Sequence, residues 1–168
     1  MNMRHEGGCL CGRIRFAAEG KPLRLYICSC RFCQRRTASF RGEMAPFYKK
    51  NFRLLSGTPD VYEHVSEGSG RRMWLNSCPT CHSTMFMTWE NFSSGVGVFC
   101  GSFDNPNCFK RTEKNTVYIF ADEAPNGTVF PAGFPVYAGH GHSHGGVAES
   151  PNIYPVHTMV TPKAPPTN

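Results

Sequence analysis

Seven of the chain's nine cysteines fall in three tight groups, and no other feature constrains the fold as much. Cys9-Leu10-Cys11 is a CxC pair, Cys28-Ser29-Cys30-Arg31-Phe32-Cys33 a CxCxxC cluster, and Cys78-Pro79-Thr80-Cys81 a CxxC pair. Close spacing lets one turn present two thiolates to one ion. In the CxxC pair the turn aims both sulfurs inward, its amides can hydrogen-bond them, and Pro79 preforms it. Gly7, Gly8 and Gly12 flank the first pair, where the backbone must bend sharply round a metal.

Seven thiolates do not fill two four-coordinate sites, so the groups divide as four plus three. Cys9, Cys11, Cys78 and Cys81 would close one structural zinc site, clamping an early hairpin to a late one. Cys28, Cys30 and Cys33 would hold a second, catalytic zinc with one position left for water or substrate. Two alternatives stay open. Cys100, Cys108 or His82 could complete the second site, making both zincs structural, or the pairs could be redox dithiols.

At 168 residues the chain has room for one domain with a real core, and 13 Phe make that core rich in rings. This composition excludes a disordered protein. No apolar run approaches a membrane span, and Met1–Glu6 lacks the apolar stretch of a secretory signal. The expected compartment is therefore reducing and cytoplasmic, where cysteines serve metals or catalysis rather than disulfides.

Short strands dominate the pattern. Arg13–Ala17 and Leu23–Ile27 alternate polar and apolar residues, the latter running into Cys28. Phe52–Ser56, Val61–Val65, Arg71–Leu75, Met85–Trp89, Val96–Cys100 and Val117–Phe120 are rich in β-branched or aromatic residues, and turn-forming clusters separate most of them. The one helical piece spans about Arg31–Thr37. The expectation is an all-β, mostly antiparallel domain over residues 1–137. Eight of the 13 prolines lie between Pro125 and Pro166, so residues 138–168 read as an extended or mobile Pro/Gly/His-rich tail. His140, His142 and His144 alternate along that tail and could bind a metal weakly.

The charge is uneven. Residues 1–53 hold 12 Lys and Arg against 3 acids, and the remainder hold 6 against 9. A basic half beside a cysteine cluster points to an anionic partner. Arg35 and Arg36 lie within three residues of Cys33, and guanidinium forks hold carboxylates bidentately. They are the expected substrate-binding residues of an open pocket, with Phe32 and Phe40 bracketing them as its aromatic walls. The alternatives are a solvated face or neutralisation of the thiolate cluster. Nucleic acid is the less favoured partner: the strands lack a basic–aromatic stacking series and there is no long Lys/Arg run. The Phe-rich strands leave room for a dimer face.

Four blocks resemble one family. Gly7–Phe16 resembles the GGCxCGxxR-aromatic opening of the glutathione-dependent formaldehyde-activating enzymes, a family that includes centromere protein V. Cys28–Thr37 is similar to its CxCxxCxRxT segment, Ser77–Cys81 with Ser83 to its late CPxCG knuckle, and Gly101–Pro106 to its G-[ST]-x-D-x-P turn. The resemblance covers about residues 7–137. It implies a zinc-containing β-tent fold, two zinc sites divided as above, and carbon–sulfur lyase chemistry on an adduct such as S-(hydroxymethyl)glutathione. The partner it implies is a small thiol or thioether, with glutathione first. Its alternative is a non-enzymatic, zinc-stabilised module that binds nucleic acid or protein. The chain departs from the pattern at Ala38 and His82, where the family commonly has Gly, at Tyr118, where His is frequent, and at Cys100 before Gly101. His82, Glu43, Tyr48 and Asp104 are the candidate proton relays.

Overall fold

The computed structural model describes residues 3–141 and 149–161, and its secondary structure is mostly strand. In chain order the strands are β1 (Arg4–Gly8), β2 (Arg15–Glu19), β3 (Leu25–Cys28), β4 (Gly42–Tyr48), β5 (Phe52–Ser56), β6 (Asp60–Val65), β7 (Arg72–Ser77), β8 (Thr84–Trp89), β9 (Gly95–Phe99), β10 (Thr116–Ile119), β11 (Val129–Phe130), β12 (Pro135–Val136), β13 (Asn152–Ile153) and β14 (Thr158–Met159). One helix, α1 (Arg31–Thr37), follows β3. No described helix is long and apolar enough to cross a membrane. The all-β expectation holds, and β5 and α1 have the bounds read from the sequence.

The chain packs as two compact units, residues 1–25 with 43–110 and residues 26–42 with 111–168. In the first unit β1-β2-β5 form an antiparallel sheet, and β4-β9-β8-β7-β6 form an antiparallel run. Period-two alternation turns Phe16, Phe47, Phe86, Val96 and Val98 inward, where they pack with Ile14, Met85 and Phe103. Rings meet edge to face there, with Phe16 and Phe103 at 5.5 Å. Two bulges matter for the site. In one, Leu55 is the extra residue of β5 opposite Arg15 and Phe16, and in the other Met85 is the extra residue of β8 opposite Asn76 and Ser77, just after the Cys78–Cys81 turn. Bulges bend a strand and re-aim the residues beyond them.

The sequence pattern does not reveal β1 or β4. β1 is polar and glycine-rich, and β4 contains Pro46. Pro46 donates no ladder bond, yet its carbonyl accepts the Leu23 amide at 2.8 Å while Pro46 sits opposite Gly97.

In the second unit the order is β13-β12-β10-β3, with β12 parallel to β10 and antiparallel to β13. Alternation on β10 splits its core in two. Val117 and Ile119 pack with Cys28, Cys33 and Tyr137, whereas Tyr118 packs with Ile27, Phe130 and Val136. The sequence places the last packed residues near Phe134–Tyr137. The described residues beyond them instead return twice, as β13 on β12 and β14 on β11. Ala132 also donates its amide to His157 Nδ1 at 3.1 Å. His142 and His144 lie outside the described residues.

Candidate metal centres

Two hairpin turns build the first cysteine cluster. The Cys9–Gly12 turn closes with the Gly12 amide on the Cys9 carbonyl at 3.0 Å. The Cys78–Cys81 turn closes with the His82 amide on the Cys78 carbonyl at 2.9 Å. Backbone amides aim at the sulfurs: Ile14 donates to Cys9 Sγ at 3.3 Å and Thr80 to Cys78 Sγ at 3.4 Å. Ser83 joins the two turns, accepting the Leu10 amide at 3.2 Å and lying 3.3 Å from Cys81 Sγ. Cys9 and Cys78 are buried, and Cys11 is exposed.

All four sulfurs lie within 4.8 Å of one another. The Cys9–Cys11 and Cys11–Cys78 separations are 3.5 and 3.7 Å. A tetrahedral zinc with Zn–S of ~2.3 Å puts its sulfurs ~3.8 Å apart, so the cluster has the size of such a site. The thiols are already polarised towards a shared charge. Cys81 is pulled down to about 5 by the Ser83 hydroxyl and amide. The Arg13 amide lowers Cys11, but burial and the neighbouring thiols win and push it up to about 11.

The second cluster is local. β3 delivers Cys28, Cys30 caps the helix, and Cys33 lies in its first turn. The Cys33 amide donates to Cys30 Sγ at 3.4 Å, and Cys28 Sγ lies 3.2 Å from it. Hydrogen bonds from Cys28 and Cys33 hold Cys30 down at about 3. Its own bonds to Cys30 and Cys33, with burial, push Cys28 upward. These three sulfurs also lie within 4.8 Å of one another. Among the described residues no fourth His, Cys, Asp or Glu ligand atom joins that group within that distance. Both clusters could therefore hold a metal ion.

The surroundings of this cluster are fixed by polar contacts. Gln34 donates to the Ser29 carbonyl, and to the Glu123 carbonyl at 2.9 Å. Arg31 donates its amide to the Glu123 carboxylate at 2.7 Å and its guanidinium to Gln34 Oε1. Phe32 packs against the cluster, whereas Arg35 is exposed and Phe40 is 70% exposed. Arg36 turns the other way, against Cys33. Burial lowers its pKa, and the three cysteines oppose that shift.

Two residues that the sequence did not single out belong here. Tyr137 shares the buried cluster with Cys28 and Cys33. Phe120 also packs against it and holds a left-handed backbone at φ 58° and ψ 45°. A bulky residue in that region is strained. The local sequence carries no signal for the Tyr137 contact, because pairing of β12 with β10 creates it.

The remaining candidates have these settings. Asp104 is held by Arg15. His82 is exposed on the Cys78–Cys81 turn with φ 59°. Glu43 and Tyr48 lie on β4, with Tyr48 edge-on to Phe92 at 6.1 Å. Cys100 and Cys108 pack against the first unit's core. A cleft of about 330 Å³ in that unit is lined by Arg4, His5, Glu6, Asp104, Asn105 and Cys108. Its charges are largely spent on one another, with Arg4 on Glu6 at 2.6 Å.

A crystal structure of a Rhodobacter sphaeroides protein is 20% identical to this chain, with a TM-score of 0.47, covering 61% of this chain and 91% of that one. No curated protein matches the chain. Residues 4–122 match the glutathione-dependent formaldehyde-activating enzymes, and the chain belongs to that family.

Proposed function

We propose that the protein is a zinc-dependent carbon–sulfur lyase acting on a small thiol adduct such as S-(hydroxymethyl)glutathione. The observation that carries the reading is the unequal division of the sulfurs, four around one point and three around another. Cys9, Cys11, Cys78 and Cys81 would hold a structural zinc, and Cys28, Cys30 and Cys33 a catalytic one. Zinc held by three thiolates would supply a soft Lewis acid that takes sulfur and stabilises a leaving thiolate.

The chain's own residues do the rest. Cys28, Cys30 and Cys33 fix the reacting sulfur's position. Phe32 gives the site an apolar wall. Arg35 is placed on the exposed side of α1, where its fork can take a substrate carboxylate. In cleavage the hydroxyl gives its proton to solvent as the C=O bond forms. The carbon–sulfur bond breaks, and its electron pair stays on sulfur. In the other direction the thiolate attacks the aldehyde carbon. Cysteines that serve as metal ligands fit the reducing, cytoplasmic setting expected from the sequence.

The test is metal analysis of the purified protein with NMR of formaldehyde and glutathione exchange in its presence. The reading expects two zincs per chain and exchange faster than the uncatalysed reaction. Two zincs with no acceleration for any small thiol would leave a binding module instead.

A further inference from the structure

Arg36 does not join Arg35 on the exposed side of α1. It lies three residues after Cys33, on the same face of the helix. Its guanidinium is half-buried against Cys33 and in the field of Cys28 and Cys30. A methyl group at Gly42 would stand 3.2 Å from Arg36 Nη2 and 3.3 Å from Cys33 Sγ. Guanidinium and sulfur thus close on one point, and a glycine keeps that point open.

Charge counting gives this contact a role. Three thiolates and a divalent ion leave one net negative charge, and an unbalanced charge is costly to hold away from water. The guanidinium is always protonated, so it brings the group to neutrality. A neutral fourth ligand then leaves the group neutral, and a thiolate takes it to one net negative charge. Without Arg36 the same thiolate would create two negative charges in a half-buried site. The arginine therefore counts most when the incoming ligand is an anion.

We propose that Arg36 makes the three-cysteine site select a thiolate over a neutral ligand by supplying the compensating charge. The inference rests on the zinc–thiol reading above. Arg36 is a positioning residue acting through the cysteines. The thiol's proton leaves to solvent as its sulfur enters, and no other bond changes.

The test uses protein loaded with Co2+, whose visible absorption reports the fourth ligand. It is titrated with 2-mercaptoethanol, with glutathione and with imidazole. Arg36→Met should weaken 2-mercaptoethanol by roughly tenfold or more and leave imidazole unchanged. Arg36→Lys should retain most of the thiol affinity. Gly42→Ala leaves Arg36 in the chain but crowds it from the sulfur, and should shift thiol affinity the same way by less. It keeps the inference open to refutation if Arg36→Met does not fold. Loss of glutathione affinity alone, with 2-mercaptoethanol unchanged, would make Arg36 a carboxylate receptor and overturn the inference while keeping the lyase reading. Wild-type protein that binds neither thiol would overturn both.

Discussion

Arg15 donates from both terminal nitrogens to the carboxylate of Asp104, with Nη1 at 2.8 Å from Oδ1. The contact joins two family-like blocks that are 89 residues apart. It is reinforced beside it, where the Asp104 amide donates to the Glu6 carbonyl at 3.0 Å and Gly7 bridges to Phe103. A methyl at Gly7 would stand 2.3 Å from the Ser102 carbonyl oxygen. These motif residues are thus occupied in fastening the first unit together.

That assignment predicts a pH-dependent cost for Asp104→Asn. Arg15 holds the Asp104 carboxyl below its ordinary value. The stabilisation is therefore present above the unfolded pKa of about 4 and is lost as pH falls through the lower folded value. Asp104 is half-exposed, so the cost at pH 7 should be only about 0.5–1 kcal/mol. Denaturant unfolding at pH 7 and at the lowest pH at which the protein keeps its zinc checks this, and a cost that does not shrink towards the lower pH would contradict it. Thiol turnover should be unaffected, which a proton relay would not allow.

The two departures from family glycine have a backbone explanation. Ala38 ends α1 at φ 49°, and His82 follows the second cysteine knuckle at φ 59°. Both sit in the left-handed region, where a side chain costs about 1–2 kcal/mol and glycine nothing. Glycine also frees the unfolded chain, which takes back part of the gain. Ala38→Gly and His82→Gly should each raise unfolding free energy by roughly 0.5–1 kcal/mol. Metal content and thiol affinity should stay the same. Altered thiol selectivity without added stability would show that these positions serve chemistry instead.

The cysteine groups were legible because each is set by local spacing, and α1 because its short polar pattern needs no partner. Tyr118, another departure, packs edge-on to Phe130 at 5.7 Å and to Phe134 at 5.8 Å. It reads as core in the structure, but its sequence neighbours do not say which sheet face it takes. The direction of Arg36 was legible in part, since a residue three positions after Cys33 shares its helix face. Strands β1 and β4 were not, because their pairing comes from distant partners rather than their own composition.

Loss of the two clusters should have unequal effects. Cys78 is fully buried, and its cluster ties residues 9–11 to residues 78–81, closing a long loop. Cys28, Cys30 and Cys33 close only short loops. Structural zinc contributes roughly 10–16 kcal/mol in small peptides. Cys78→Ser should therefore collapse the fold, whereas Cys30→Ser should stay folded and lose thiol binding. Thermal unfolding with zinc analysis checks the pair, and equal collapse would remove the distinction between structural and catalytic sites.

The last prediction concerns residues beyond the family match, which ends at residue 122. Tyr137 reaches the three-cysteine cluster on a segment stitched to β10 and the turn after it. Tyr137 donates its amide to the Tyr118 carbonyl at 2.9 Å, and the Phe120 amide donates to the Gly139 carbonyl at 2.7 Å. Glu149 secures the segment from the other side. Its carboxylate accepts the Gly139 amide at 3.1 Å and the Gly141 amide at 3.3 Å. Bonds from amides to a carboxylate contribute about 1.5–3 kcal/mol, less where water competes. Glu149→Ala should therefore speed hydrogen exchange at the Phe120, Gly139 and Gly141 amides by roughly tenfold or more. Exchange in β7 and β8 should not change, because those strands belong to the first unit. Thiol affinity should fall with the loosening, since Tyr137 packs with Cys28 and Cys33. Faster exchange at Phe120 with unaltered thiol affinity would mean that Tyr137 only fills the core. Unaltered exchange at all three amides would mean that Glu149 does not hold the segment in place.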